Sequence, residues 1–231
     1  MSRGSIVAID GPAGSGKSSV AREVAAKLGA ANLNTGGLYR AVALVALRDG
    51  VQTDDSAGLA GCASRLSLDG EGVSVDGQRI PDPELRTPEV SAAASSVSVY
   101  PEVREVLDQV QREAAEEAAR SGDRSGGVVV EGRDIGTVVL PEADLKVFLS
   151  ASAEERARRR ALQSGREGEF ERIKRAMEVR DRQDSERAVS PLRPADDAAV
   201  LDTTGLSLEE VVDRIVALVR EAERRQEVGG R

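Results

Sequence analysis

A run near the start of the chain, Ser5 to Ser19 (SIVAIDGPAGSGKSS), holds the residues whose spacing most clearly serves chemistry. Gly11, four further residues and then Gly16-Lys17-Ser18 make the pattern of a phosphate-binding loop. In such a loop the glycines let the backbone curl so that successive N–H groups face phosphate oxygens, and the following helix adds the positive end of its dipole. Lys17 would reach the β- and γ-phosphates, and the Ser18 hydroxyl would sit on Mg²⁺. Gly11, Pro12, Ala13, Gly14, Ser15, Gly16, Lys17, Ser18 and Ser19 are therefore expected to bind a nucleoside triphosphate, with Ser18 as the metal ligand.

Two further constellations place charge where it is costly or crowded. Glu131-Gly132-Arg133-Asp134 follows directly on Val128-Val129-Val130, an apolar run of the kind that forms a buried parallel strand. Ligands of open α/β sheets bind beyond the carboxyl ends of the strands, which is where these four residues stand. Arg180, Asp184 and Arg187 are spaced i, i+4 and i+7, hence on one helix face. That spacing suits a ligand site or an exposed ladder of ion pairs worth about 0.3 kcal/mol each. Arg156, Arg158, Arg159 and Arg160 crowd another helix, with a solvated face as the alternative to function. For Tyr39 and Arg40 residue type alone leaves packing and binding roles open.

Composition excludes several chemistries. Histidine is absent, which removes imidazole acid–base catalysis and the usual zinc sites containing histidine. Lysine occurs only at Lys17, Lys27, Lys146 and Lys174, leaving 28 arginines among the 32 basic residues. Guanidinium forks suit carboxylate and phosphate oxygens. A net charge of −8 argues against nucleic acid and against an anionic membrane surface as partners. The single cysteine, Cys62, sits among Leu59 and Leu66 at helical spacing and reads as a small core residue. No signal-like leader precedes the first strand and no apolar run approaches membrane-spanning length, so a cytoplasmic location is expected. With no coiled-coil seam in the sequence and the amphipathic helices needed for the core, a monomer is expected.

The elements that must position these groups follow from periodicity. Short apolar runs at Ile6–Ile9, Ala31–Leu33, Val128–Val130, Leu145–Leu149 and Ala198–Leu201 read as strands separated by helices. The helices include one stripe of Val20, Val24 and Leu28 closed by Gly29, and another of Val103, Val106, Leu107 and Val110 that fades at Ser121-Gly122-Asp123. Asn34 or Thr35 would cap a helix ending at Asp49-Gly50, and Ser152 and Ser207 each open a capping box. Between residues 66 and 80, alternation broken by Asp-Gly turns predicts antiparallel hairpins. The last residues, Arg224 to Arg231, are expected to fray. The fold expected is α/β: a P-loop three-layer fold with a five-stranded parallel sheet, an inserted small antiparallel β subdomain and a short helical lid. Residues 1–231 then form one P-loop kinase domain, with an insertion over 54–100 and a lid over 154–190.

No guanine-reading Asn-Lys-x-Asp sequence is present, and a compact core with a small insertion and an arginine-bearing helical pair suits a small kinase. If the acceptor is itself a phosphate, its oxygen is already anionic and needs no general base. Another small-molecule P-loop kinase, acting on UMP, AMP or shikimate, and an ATP-binding regulator without transferase activity are the alternatives.

The stretches GPAGSGKSS, NTGGLYRA, RTPEVSAAAS, EGRDIGTVV and RDRQDSERAVSPLRPADDA closely resemble the bacterial cytidylate kinases over nearly the whole length. The resemblance implies transfer of the γ-phosphoryl of ATP to CMP or dCMP with Mg²⁺, and an insertion on the pyrimidine-monophosphate side. It implies that Ser95, Arg104 and Asp134 read cytosine, and that Arg40 and Arg133 clamp the monophosphate beside Thr35 and Tyr39. It also makes Arg180 and Asp184 a sugar-contacting pair, with Arg187 in the same site, and Arg156, Arg159 and Arg160 lid arginines over ATP. Lys17, Arg133, Arg180 and Arg187 are its implied catalytic residues. Two positions depart from the family pattern: Asn34 stands for the usual Asp, and Glu131 for the usual Asp ahead of Gly-Arg-Asp.

Overall fold

The computed structural model describes residues 3–121 and 126–229. Two compact units divide them, one of residues 1–32 with 122–231 and one of residues 33–121.

The first unit is built on a five-stranded sheet. Its strands are β1 (Ile6–Asp10), β2 (Ala31–Asn34), β6 (Val128–Glu131), β7 (Leu145–Ser150) and β8 (Ala199–Asp202), in the order β2-β6-β1-β7-β8. The parallel five-stranded sheet expected from the sequence is present. Ile6 to Asp10 and Val128 to Glu131 are buried throughout, as continuous apolar strands covered on both faces must be. Helices α1 (Lys17–Leu28) and α9 (Leu208–Gly229) cover one face. There Val20 and Val24 meet Val7, Ile9, Val129, Val147 and Leu149 of the sheet, with Val212 and Ile215 of α9. Gly29 ends α1 at φ 64°, a left-handed conformation that only glycine adopts readily.

After β7 come α7 (Ala153–Ser164), a 3₁₀ turn (Glu167–Glu169) and α8 (Phe170–Glu186), joined on a small core of Ala157, Ala161, Ile173 and Met177. The capping box at Ser207 forms in both directions, Glu210 N–H donating to Ser207 Oγ and Ser207 N–H to the Glu210 carboxylate. The one at Ser152 forms only by half. Ser152 Oγ accepts from Glu155 N–H, but Arg158 and Arg159 hold the Glu155 carboxylate, and Ser152 N–H donates to Thr204 Oγ1 instead. Helix α9 continues to Gly229, past the Arg224 at which fraying was expected, and Gly230 and Arg231 lie outside the described residues.

The second unit holds α2 (Gly36–Asp49), α3 (Ser56–Ala63), the antiparallel sheet β3 (Leu66–Asp69), β4 (Gly72–Val75) and β5 (Gln78–Arg79), then α4 (Asp82–Leu85), α5 (Pro88–Val97) and α6 (Pro101–Arg120). The predicted hairpins are therefore real, and Pro83 and Pro88 sit at helix starts where a missing N–H costs nothing. Thr35 occupies the N-cap of α2 but makes no side-chain cap bond, unlike Thr87, which accepts from Val90 N–H to start α5. Helix α6 ends at Arg120, and Gly122 and Asp123 lie outside the described residues. Cys62 is buried, as its surroundings required.

Candidate active site

The glycine loop joins β1 to α1 and is shaped by close approaches that only glycine permits. A Cβ on Gly11, at φ 148°, would lie 2.2 Å from the Leu149 carbonyl oxygen. One on Gly14, at φ 72°, would lie 2.6 Å from Met177 Cε and 2.8 Å from the Arg156 carbonyl oxygen. Gly16 is the left-handed N-cap of α1, so the helix starts at Lys17 with its amides turned toward the loop. The Lys17 ammonium folds back onto Pro12 O at 2.7 Å and Ser15 Oγ at 3.5 Å. Burial, then the charge of Arg133, hold its pKa well below the ordinary lysine range, against the opposing pull of Glu131 and Asp10.

Ser18 donates its hydroxyl to Glu131 Oε2 at 2.8 Å. Glu131 closes β6 immediately beside β1, and the register that pairs Ile9 with Glu131 is what carries its carboxylate to the loop. Next along the chain, Arg133 Nε donates to Asp184 Oδ2 at 3.1 Å. Asp134 is buried, and its carbonyl receives the first bonds of a π-helical turn, Ile135–Val139. Asp10, the last residue of β1, caps that turn by accepting from Ile135 N–H at 2.9 Å and Gly136 N–H at 2.7 Å.

The three residues expected on one face of α8 do not all lie on the helix. Arg180 and Asp184 do, but α8 stops at Glu186 and Arg187 is extended, at φ −63° and ψ 141°. Arg187 still reaches back to Asp184, 3.7 Å away, and donates to the Ser190 carbonyl oxygen, so the grouping survives through a turn rather than a helix face. Ser190 adopts φ 52° to allow this. Arg180 is half-buried, and its Nε finds no hydrogen-bond partner among the described residues. Burial and the neighbouring Arg133 charge lower its pKa from the ordinary arginine value.

The three arginines expected on a lid differ from one another. Arg156 is buried and donates to Ala151 O, Ala13 O and Asp181, so it is not on a solvated face. Arg159 binds Glu155 and Thr203, and its Nη1 lies 3.8 Å from where a Cβ on Gly16 would be. Arg160 is exposed and donates to Gln163.

In the second unit, Arg104 opens α6 almost fully buried, donates to Ser98 O at 3.2 Å and stacks 5.3 Å from the centre of the Tyr39 ring. Ser95 is half-buried on α5 and presents its backbone carbonyl to Ser98 Oγ. Thr35 is buried at the start of α2, and Tyr39 and Arg40 follow on the same helix. Asn34 and Arg40 flank Gly36, where a Cβ would lie 3.4 Å from Asn34 Oδ1 and 3.5 Å from Arg40 Nη1.

The family model described as cytidylate kinase matches residues 7–221. The chain belongs to the cytidylate kinase family. It is 48% identical over 220 residues to a cytidylate kinase of Desulfitobacterium hafniense (strain Y51), covering 92% of this chain and 91% of that one. It is 47% identical over 231 residues to a cytidylate kinase of Geobacter sulfurreducens (strain ATCC 51573 / DSM 12127 / PCA), covering 96% and 95%. A crystal structure of an uncharacterized protein from Eubacterium ventriosum ATCC 27560 covers 94% of this chain and 98% of its own at 12% identity, with a TM-score of 0.51, and bears on the fold alone.

Within this cytidylate kinase family member, three carboxylates at the site were not singled out from sequence for the work they do. Glu131 stood out as a charge at the end of a buried strand and as a substitution, but not as the partner of Ser18, and Asp10 and Asp181 only as members of longer runs. Asp10 could have been found from its position, a charge ending a buried strand directly ahead of a glycine loop. Asp181 left no such signal, because its partner Ala13 lies 168 residues away.

Proposed function

We propose that this protein transfers the γ-phosphoryl group of ATP to CMP or dCMP, giving ADP and CDP or dCDP. The observation that carries the reading is the set of largely buried cations around the glycine loop. Burial first, and then the nearby Arg133 charge, lower both Lys17 and Arg180 from their ordinary values, and Arg180 Nε has no hydrogen-bond partner among the described residues. Gathering like charges out of water is costly unless an anion completes the group, and phosphoryl transfer brings two such anions together.

The reaction asks this chain for positioning and charge. The loop amides and Lys17 take the β- and γ-phosphates, and binding a polyanion there favours the charged form of Lys17. Arg133 takes the acceptor phosphate, exchanging its present partner Asp184 for a phosphate oxygen. Arg180, Asp184 and Arg187 belong with it, while Arg159 and Arg160 lie on the lid, residues 154–190, that shields the transfer from water. No general base is required, because the attacking oxygen is already ionised. We assign Ser95, Arg104 and Asp134 to cytosine, and Thr35, Tyr39 and Arg40 to the monophosphate. An acceptor facing the exocyclic amine and donors facing N3 and O2 would favour cytosine over uracil.

The residues present fit a magnesium ion that arrives on the nucleotide. The Ser18 hydroxyl, backed by the buried Glu131 carboxylate, offers a single oxygen ligand, whereas no cluster of three or more metal-binding side chains stands among the described residues. When bound, the ion would supply positive charge that neutralises the phosphates, with the Ser18 hydroxyl as the side-chain oxygen that would hold it. No helix among the described residues is long and apolar enough to cross a membrane; we place the protein in the cytoplasm, as a monomer acting in pyrimidine nucleotide metabolism.

The test follows ADP release by purified protein with ATP and Mg²⁺ when CMP, dCMP, UMP, AMP or shikimate is added singly. Rapid turnover with CMP and dCMP, weak turnover with UMP and none with AMP or shikimate is the expected result. Equal rates with UMP would displace the cytosine assignment, and no turnover with any acceptor would end the kinase reading.

A further inference from the structure

The peptide between Pro12 and Ala13 is held from both sides. Its N–H donates to Asp181 Oδ1 at 3.2 Å, and its carbonyl accepts from Lys17 Nζ at 2.7 Å. No peptide bond is cis among the described residues, so these two groups point in opposite directions and the plane is fixed between a carboxylate and the lysine. The next peptide is held as well. Ala13 O accepts from Arg156 Nη1 at 3.0 Å, and the same nitrogen donates to Asp181 Oδ2. Arg156 Nε in turn donates to Ala151 O at 3.0 Å, at the end of β7. The Asp181 carboxylate thus spends one oxygen on a loop amide and the other on the arginine that holds the adjoining loop carbonyl.

We infer that Asp181 is a positioning residue for the donor nucleotide: it sets the two peptide planes that open the glycine loop and, through the Pro12 carbonyl, the resting place of Lys17. The chemistry calls for a carboxylate. Ala13 N–H needs an acceptor and Arg156 needs both an acceptor and a counter-charge, and a carboxylate supplies all three through two oxygens. With Ala13 O turned to Arg156, the Gly14 N–H of the same trans peptide points away from that side chain. Gly14 is also where α7 and α8 press on the loop, Met177 Cε and Arg156 O lying within 2.8 Å of the position a Cβ would take. The contact is largely shielded, with the Arg156 and Asp181 side chains 10% and 16% exposed, so solvent screens it little.

The inference rests on reading the loop as the ATP site, and its test is chosen to separate the two. Calorimetric titration of ATP with Mg²⁺ into the full chain, without an acceptor, compares wild type, Asp181→Ala and Asp181→Asn. Asp181→Ala is expected to weaken ATP binding about 10-fold. Asp181→Asn, whose oxygen can still accept from Ala13 N–H but whose amide cannot serve Arg156, falls between the two, and it carries the test if the alanine variant does not fold. In steady state the KM for ATP rises in both variants while the KM for CMP stays within about twofold, a split that general loosening of the fold would not produce. Unchanged ATP affinity in the folded variants, or equal rises in both KM values, would overturn the inference. Absence of CMP turnover in wild-type protein that binds ATP would count against the proposed reaction alone.

Discussion

Arg133 Nε and Asp184 Oδ2, 3.1 Å apart, tie the carboxyl end of β6 to the last turn of α8. Both side chains are mostly shielded, 21% and 13% exposed, so the pair neutralises the Arg133 charge within the protein. Under the proposed reaction the acceptor phosphate would take the place of Asp184. Arg133→Ala is expected to lower kcat/KM for CMP by about 10²–10³ while leaving ATP affinity within a few fold. Arg133→Lys should recover only part of the loss, since an ammonium cannot make the forked contact. Steady-state kinetics with each substrate varied in turn checks both.

At Gly14 a side chain has nowhere to go. Positive φ and the approach of Met177 Cε and Arg156 O make Gly14→Ala strained on two independent grounds. A loss of stability of about 2–4 kcal/mol is expected from denaturant titration, with weaker ATP binding even where the variant is folded.

Asp10 gives the pH dependence a sign. Burial, partly offset by the two amides it accepts from, raises its pKa from 3.8 to about 6. The folded state therefore holds the proton more tightly than the unfolded chain. Its contribution to stability is fully present below about pH 3.8 and is lost as pH rises through about 6, on the order of 3 kcal/mol in all. Asp10→Asn is neutral throughout but presents a donor to one of the two amides. Its deficit relative to wild type should be largest near pH 4 and shrink by about 1–3 kcal/mol by pH 7, measured as unfolding free energies at the two pH values. A deficit that does not change with pH would show that the carboxyl does not titrate in this window.

The Ser18 hydroxyl, held by Glu131, is the single side-chain oxygen assigned to the cation. Ser18→Ala should raise the Mg²⁺ concentration for half-maximal activity about 10-fold, with little change in thermal midpoint because the side chain is largely exposed. Magnesium titration at fixed ATP reads this directly.

The Tyr39 ring supports the Arg104 guanidinium at 5.3 Å. Tyr39→Phe keeps the ring and should leave the KM for CMP within about twofold, whereas Tyr39→Leu removes it and should raise that KM about fivefold.

Local order was legible because it depends on spacing within a turn or along a strand. The curled loop needs Gly14 and Gly16 at positive φ, the helix stripes of α1 and α9 repeat at 3.6 residues, and the Asp-Gly turns of the β3-β4-β5 sheet break a period of two. Where two local signals competed, the reading was less sure. Glu155 looked like half of a capping box but is held by two arginines, because a carboxylate gains more from guanidinium than from one amide. Arg187 looked helical by count but lies past the end of α8, where its bond to Ser190 O and its approach to Asp184 hold an extended turn.

By itself the sequence determined the phosphate loop, the strands, most of the helices and, through its motifs, the family. Tertiary structure decided which charges meet. Ser18 finds Glu131 across 113 residues, Asp10 finds Ile135 across 125 and Ala13 finds Asp181 across 168. None of these partners can be read from spacing, because each depends on the strand order that sets β6 and β7 on either side of β1 and so brings their carboxyl ends to one place.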